Sequence, residues 1–155
     1  MVARLHYALA APQALQAVRQ LEEYVENCGL ELPLLRFVQI RASQINRCAF
    51  CLDMHTKDAR AEGEDEQRLY LLDSWEEAPC YSERERAALA WTEAVTLLGE
   101  GHVPDEVYER VRRYFSDEEL VNLTLAVATI NVWNRLNVAF RTPAGTYRPR
   151  KTASS

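Results

Sequence analysis

Apolar residues recur at spacings of three and four along almost the whole chain, the period of a helix rather than of a strand. Leu15, Val18, Leu21 and Val25 form the first such stripe, opened by Pro12 at a first-turn position and closed by Gly29. Leu34, Phe37, Val38, Arg41 and Ile45 fall on or near one face of a second helix, and Asn46-Arg47 marks its break. The spacing predicts a third helix from about Cys48 to Ala61, stopped by Gly63. Asp65 caps a shorter helix carrying Leu69, Leu72 and Trp75, and Pro79 interrupts it. Ser82 and Glu85 form a capping box, in which each side chain satisfies a backbone donor near the other; it opens a helix reaching Leu98. Pro104 begins another, with Val107, Val111 and Tyr114. Ser116 and Glu119 form a second capping box and start the longest helix, to about Phe140.

The pattern therefore predicts an all-α helical bundle of about seven helices, with no period-2 strand and no Asn-Gly hairpin turn. The last helix is apolar on more than one face: Leu120, Val121, Leu123, Leu125, Val127, Ile130, Val132, Trp133 and Leu136. Such a helix is buried on several sides, so it is expected either at the centre of the domain or in a subunit interface. Residues 1–141 read as a single domain. The segment 142–155, with Pro143, Gly145, Pro149, Arg148, Arg150 and Lys151, reads as a C-terminal arm, either loose or packed on a neighbouring subunit.

Composition narrows the function. A chain of 155 residues, 48% hydrophobic and 26% charged, has the make-up of one globular domain. Its formal net charge of −5 argues against sequence-independent nucleic-acid binding, which needs a basic face. No apolar run is long enough for a membrane span, and Arg4 and His6 interrupt what could have been a leader. The expectation is a cytoplasmic protein in a reducing compartment, with no membrane or nucleic-acid partner. There, a closely spaced cysteine pair reads as catalytic or metal-binding before it reads as a structural staple.

Such a pair is present. Cys48 and Cys51 are three residues apart, and His55 follows Cys51 by four, so on a helix all three share one stripe. They sit at the start of their helix, where free N–H groups and the dipole favour a thiolate. His55 can take the thiol proton or return it to a leaving group. Acidity alone explains little. Lowering a thiol pKa from about 8.5 to about 6.5 raises the thiolate fraction at pH 7 roughly 25-fold, and lost nucleophilicity removes roughly 6- to 10-fold of that. Positioning of the second sulfur and the proton donor must supply the rest. Zinc is the alternative use of two thiolates and an imidazole, but a structural site needs a fourth ligand. His6, Cys28, Cys80 and His102 are isolated, so no metal and no cofactor is expected. Asn131, Trp133, Asn134 and Arg135 put polar groups on the apolar last helix and are expected to bond across helices or subunits. Asp53 reads as first-turn charge, and Glu62, Glu64, Asp65 and Glu66 as a solvated acidic loop.

The run Arg41-Ala-Ser-Gln-Ile-Asn-Arg-Cys-Ala-Phe-Cys-Leu-Asp-Met-His-Thr-Lys-Asp-Ala-Arg60 resembles the core motif of the AhpD-like alkylhydroperoxidases, in the carboxymuconolactone decarboxylase superfamily. The resemblance continues through Glu85-Arg-Ala-Ala-Leu-Ala-Trp-Thr-Glu-Ala94 and Asn131-Val-Trp-Asn-Arg-Leu136. It implies an all-helical fold assembled as a homo-oligomer, trimer or hexamer. It implies an antioxidant peroxidase with peroxiredoxin-type activity: a hydroperoxide substrate, one attacking cysteine, one resolving cysteine and an external dithiol reductant. The attacking role falls by resemblance on Cys51 and the resolving role on Cys48. Two positions depart from the pattern. AhpD members carry a relay Glu twelve residues before the first cysteine, where this chain has Arg36, and often a His between the cysteines, where it has Phe50. Arg36 is either a solvated surface residue or a cation near the site, and Glu93 is a candidate replacement carboxylate. Two competing readings are a non-enzymatic redox-responsive oligomer and, as in the sister branch, a carboxymuconolactone decarboxylase, whose chemistry does not require the dithiol.

Overall fold

The computed structural model describes residues 2–149; residues 150–155 of the expected arm lie outside the described part. The described residues form eight α-helices and two short 3₁₀ turns, with no strand. The helices are α1 (Tyr7–Ala10), α2 (Pro12–Glu26), α3 (Leu32–Ile45), α4 (Ala49–Ala61), α5 (Glu66–Leu71), α6 (Glu83–Thr96), α7 (Asp105–Arg112) and α8 (Asp117–Phe140). The helix beyond the expected seven is the single-turn α1. Among the described residues no helix is long and apolar enough to cross a membrane.

The helix ends follow local chemistry. Ser82 and Ser116 both close complete capping boxes, with the Glu85 and Glu119 carboxylates accepting from the cap backbone at 2.8 Å. Asp65 accepts from the Gln67 N–H at 2.9 Å and starts α5. Replacing Ser116 by alanine is expected to cost about 1 kcal/mol and lower the melting temperature by roughly 2–4 °C, measured by calorimetry.

The apolar all-round character of α8 is explained by its neighbours: it packs against α2, α3, α4, α6 and α7. α3 is equally central and lies against α4, α6 and α8. Nine of its residues are buried, including Leu35, Phe37 and Val38. One core, with Leu34, Leu35, Val38, Trp91, Val111, Leu123 and Val127, fills the space between α3, α6, α7 and α8. A second, with Phe37, Ile40, Leu72, Trp75 and Leu89, lies under α5 and the following turn. The third is small and matters most: Ala42, Cys48, Cys51 and Ile130, flanked by Phe50 and Trp133.

Both ends of the described part return to the α4–α8 region. Arg4 donates from its backbone to Phe140 O at 2.9 Å and from its guanidinium to Ala139 O at 3.2 Å, satisfying carbonyls that the end of α8 leaves open. Residues 142–149 run along α4 of the same chain. The Gly145 N–H donates to Asp53 (3.0 Å), Lys57 donates to Tyr147 O (3.2 Å), and the Tyr147 hydroxyl donates to Asp58 (2.7 Å). Asp53 is also ion-paired to Lys57 at 2.6 Å.

Candidate functional site

A Schellman turn sets the first cysteine in place. After Ile45, Asn46 caps α3 and Arg47 takes the left-handed conformation with φ of 53°. The Arg47 N–H bonds to Gln44 O at 3.1 Å and the Cys48 N–H to Ser43 O at 3.0 Å, the two crossed bonds of that motif. The residue that ends α3 in this way is also the N-cap of α4. Its sulfur accepts the Cys51 backbone N–H at 3.4 Å. Asparagines of α8 hold the turn. Asn46 Nδ2 donates to Asn131 Oδ1 (3.0 Å) and Asn134 Oδ1 (2.8 Å), and Asn134 Nδ2 donates to Ser43 Oγ (3.0 Å). Asn131 also reaches Thr96 on α6 at 3.1 Å. These two residues therefore bond across helices, while Arg135 is exposed and bonds back to Asn131 on its own helix.

Cys48 and Cys51 are disulfide-bonded, with Cα atoms 5.4 Å apart, inside the range such a bridge needs. Cys48 is 1% exposed, Cys51 0% and His55 3%. All three thus lie inside the protein, Cys51 and His55 within α4 and Cys48 in extended backbone at its N-cap, so the helix starts one residue after Cys48, where the spacing predicts its start. Asn137 of α8 donates its amide to Cys51 Sγ at 3.4 Å. Cys28 and Cys80 are free thiols, packed at the edges of the two larger cores.

Neither ring nitrogen of His55 has a hydrogen-bond partner among the described residues. Burial first, and the Arg36 charge second, push its pKa down from 6.5 to about 3. The imidazole is therefore neutral at physiological pH. A negative charge placed beside the ring would act in the opposite direction.

Arg36 is only 8% exposed, which excludes the solvated reading. Its guanidinium forks onto Glu62 (2.9 and 2.7 Å) and also reaches Gln39 (2.9 Å) and Glu26 (3.4 Å). Glu62 stays exposed, as the acidic run predicts, but its carboxylate is held by the buried Arg36 guanidinium rather than left free in solvent. Together with Leu32, Pro33 and Ala59 the pair lines a cavity of about 240 Å³. Glu93, the candidate replacement carboxylate, accepts instead from Arg41 and Trp75, both at 2.7 Å, outside the dithiol cluster. Among the described residues, no group of three or more His, Cys, Asp or Glu is placed to hold a metal ion.

Sequence reasoning reaches Cys48, Cys51 and His55 but not Asn137 or Glu62. The available signal for Asn137 is its spacing of three from Asn134 on an apolar helix, which puts both amides on one buried face.

The model of the carboxymuconolactone decarboxylase family matches residues 11–94, which include the dithiol and His55. The chain is 42% identical over 139 residues to the uncharacterized protein YdfG of Bacillus subtilis, covering 90% of this chain and 95% of that protein. It is 32% identical over 114 residues to the uncharacterized protein YnjA of Escherichia coli, covering 72% of this chain and 62% of that protein. A crystal structure from Agrobacterium tumefaciens superimposes with a TM-score of 0.91 at 46% identity, covering 94% of this chain and 100% of that one. That protein is described as of unknown function and is provisionally named an antioxidant defence protein AhpD.

Proposed function

The chain belongs to the carboxymuconolactone decarboxylase family, on its AhpD-like side, and from that premise we propose that it is a thiol-dependent hydroperoxidase. The observation that carries the reading is the Cys48–Cys51 pair within bonding reach, one turn before a buried imidazole that has no hydrogen-bond partner among the described residues. An unpaired buried polar group costs about 1–3 kcal/mol, which a purely structural site has reason to avoid.

In this reading the Cys51 thiol passes its proton to His55, and the thiolate attacks the terminal oxygen of the hydroperoxide. An S–O bond forms and the O–O bond breaks. The proton held on His55 goes to the leaving alkoxide, giving the alcohol and a Cys51 sulfenic acid. The Cys48 thiol then attacks the sulfenic sulfur; an S–S bond forms, the S–O bond breaks and water leaves. The peroxide has gained two electrons and the dithiol has lost two. An external dithiol restores the pair by thiol–disulfide exchange. Assembly as a homo-oligomer belongs to the same proposal, and Val121, Val132 and Val138, exposed on α8, are apolar surface that a second copy would cover.

The test is consumption of tert-butyl hydroperoxide by the purified protein in the presence of a small dithiol. Turnover in proportion to protein, and absent without the dithiol, is expected. No turnover above the uncatalysed background overturns the reading. A second reading, a redox-responsive packing element, draws on the burial of both sulfurs. It predicts that oxidation changes subunit number or melting temperature while peroxide is not consumed.

A further inference from the structure

The two sulfurs meet donors of different kinds. Cys48 Sγ accepts a backbone N–H of its own helix, a contact that no side-chain substitution removes. Cys51 Sγ accepts the side-chain amide of Asn137 across the packed faces of α4 and α8. Asn137 is buried, so this amide competes with no solvent for the sulfur. Such a bond is weak to a neutral sulfur and much stronger to a charged one.

The amide is also held in one orientation. The Tyr7 hydroxyl donates to Asn137 Oδ1 at 2.9 Å, which leaves Nδ2 facing Cys51. A flipped amide would set a carbonyl oxygen against the sulfur and repel a thiolate. Tyr7 is fixed in turn by its ring against Phe140, with centroids 5.7 Å apart, and by a hydrogen bond with the Thr142 side chain. Burial pushes the Tyr7 phenol up, so it remains a protonated donor. The Asn137 backbone is anchored as well, its carbonyl accepting the Thr142 N–H at 2.9 Å.

We infer that Asn137 is a catalytic residue whose amide stabilises the Cys51 thiolate selectively over that of Cys48, and that Tyr7 is the residue that positions it. The inference rests on the thiol chemistry proposed above. The ionisable groups of this region are Cys48, the N-cap of α4, and His55 on α4, with Arg36 on α3 acting on His55, Tyr7 on α1 bonded to Asn137, and Arg19 on α2 acting on Tyr7. Glu22 on α2 lies beside Trp133. α8 contributes Ile130, Trp133, Asn134 and Asn137, none of which titrates. Among the neutral groups, Asn137 is the side chain that reaches the Cys51 sulfur.

The test reads single thiols in the reduced full-length protein. The rate of iodoacetamide alkylation at Cys51 is followed against pH by peptide mass spectrometry, which separates it from Cys28 and Cys80. In a Cys48→Ser background, Asn137→Ala is expected to raise the Cys51 pKa by about one unit, roughly a tenfold loss of thiolate below the pKa. In a Cys51→Ser background the same substitution is expected to leave the Cys48 pKa unchanged. An unchanged Cys51 overturns the inference. Equal shifts at both cysteines also overturn it, because they would mean that α8 has merely loosened. If Asn137→Ala does not fold, Tyr7→Phe decides, since it keeps the ring and frees the amide to flip: a smaller rise at Cys51 alone supports the inference, and no rise overturns it. Neither reading masks the other. A protein that turns over no peroxide but keeps the selective shift sinks the peroxidase; one that turns over peroxide without the shift sinks the role of Asn137.

Discussion

Replacing Cys51 by serine is expected to lower dithiol-dependent hydroperoxide turnover by on the order of 10³-fold or more, to the uncatalysed background. A serine hydroxyl carries almost no anion at neutral pH and cannot form the S–O and S–S bonds of the cycle. The loss should reflect chemistry rather than unfolding. Cys51 is fully buried in a small cluster with Ala42 and Ile130, and the serine oxygen can accept the same Asn137 amide that the sulfur accepts. Cys48→Ser should behave differently. Cys51 then still reacts once, but no resolving thiol follows, so the protein gains one oxygen and turnover stalls. Steady-state assays together with intact-protein mass spectrometry separate the two variants. Full activity in Cys51→Ser would remove the dithiol from the reaction. A stoichiometric oxygen on Cys51→Ser, and none on Cys48→Ser, would exchange the two roles.

What the sequence reveals of this site is the part set by one helix. Cys51 and His55 share a face of α4 because they are four residues apart, Cys48 joins them as the N-cap of that helix, and the Asn46-Arg47 break is readable for a similarly local reason. The capping boxes at Ser82 and Ser116 locate the starts of α6 and α8. Helix ends without such a signal are less legible. The periodicity carries α6 to Leu98, but the helix ends at Thr96, where Leu97 leaves helical geometry with φ of −102° and ψ of 32°. The one-turn α1 is too short to show a period. Tertiary proximity is the part that spacing does not encode. Arg36 meets Glu62 across 26 positions, Cys51 meets Asn137 across 86, and Tyr7 meets Asn137 across 130. A charge pattern read locally therefore places Glu62 at the surface, where it is, but misses its pairing with Arg36, and it proposes Glu93 for a place that residue does not take. The position at which the family's relay carries a carboxylate here carries a cation, and the buried network supplies Glu62 to neutralise it. The net local charge beside His55 is thereby not that of a bare arginine, although Arg36 still adds to the depression of the imidazole.

The buried neutral imidazole should make the protein acid-sensitive, and removing it should make the protein more robust while disabling it. His55 titrates at about 3 in the folded protein against 6.5 when unfolded. Between those values the unfolded chain binds the proton that the folded one refuses, so stability falls as pH falls. Above 6.5 the group is neutral in both states and contributes no slope. At pH 4.5 the folded imidazole is still uncharged while the unfolded one is almost fully protonated. The difference across pH 7.5 to 4.5 is about 3 kcal/mol at the usual conversion of pKa into free energy. Glu22 and Asp58, whose carboxyls burial pushes upward, work in the opposite direction, so the raw profile of the wild type mixes both signs. A His55→Leu variant isolates the one effect. Leucine has a similar volume and leaves no unpaired nitrogen, so at pH 7.5 it should be at least as stable as the wild type. Its urea midpoint, converted to free energy, should then fall by about 3 kcal/mol less than the wild type's between pH 7.5 and 4.5. Its peroxide turnover should fall by about 10²- to 10⁴-fold, the usual contribution of a positioned acid–base group. Parallel pH profiles for the two proteins would show that His55 is not the group refusing the proton. A stable variant with intact turnover would show that the cost of burying this imidazole serves something other than catalysis. The expected outcome, more stability with less activity, is what a polar group kept unpaired for its chemistry predicts.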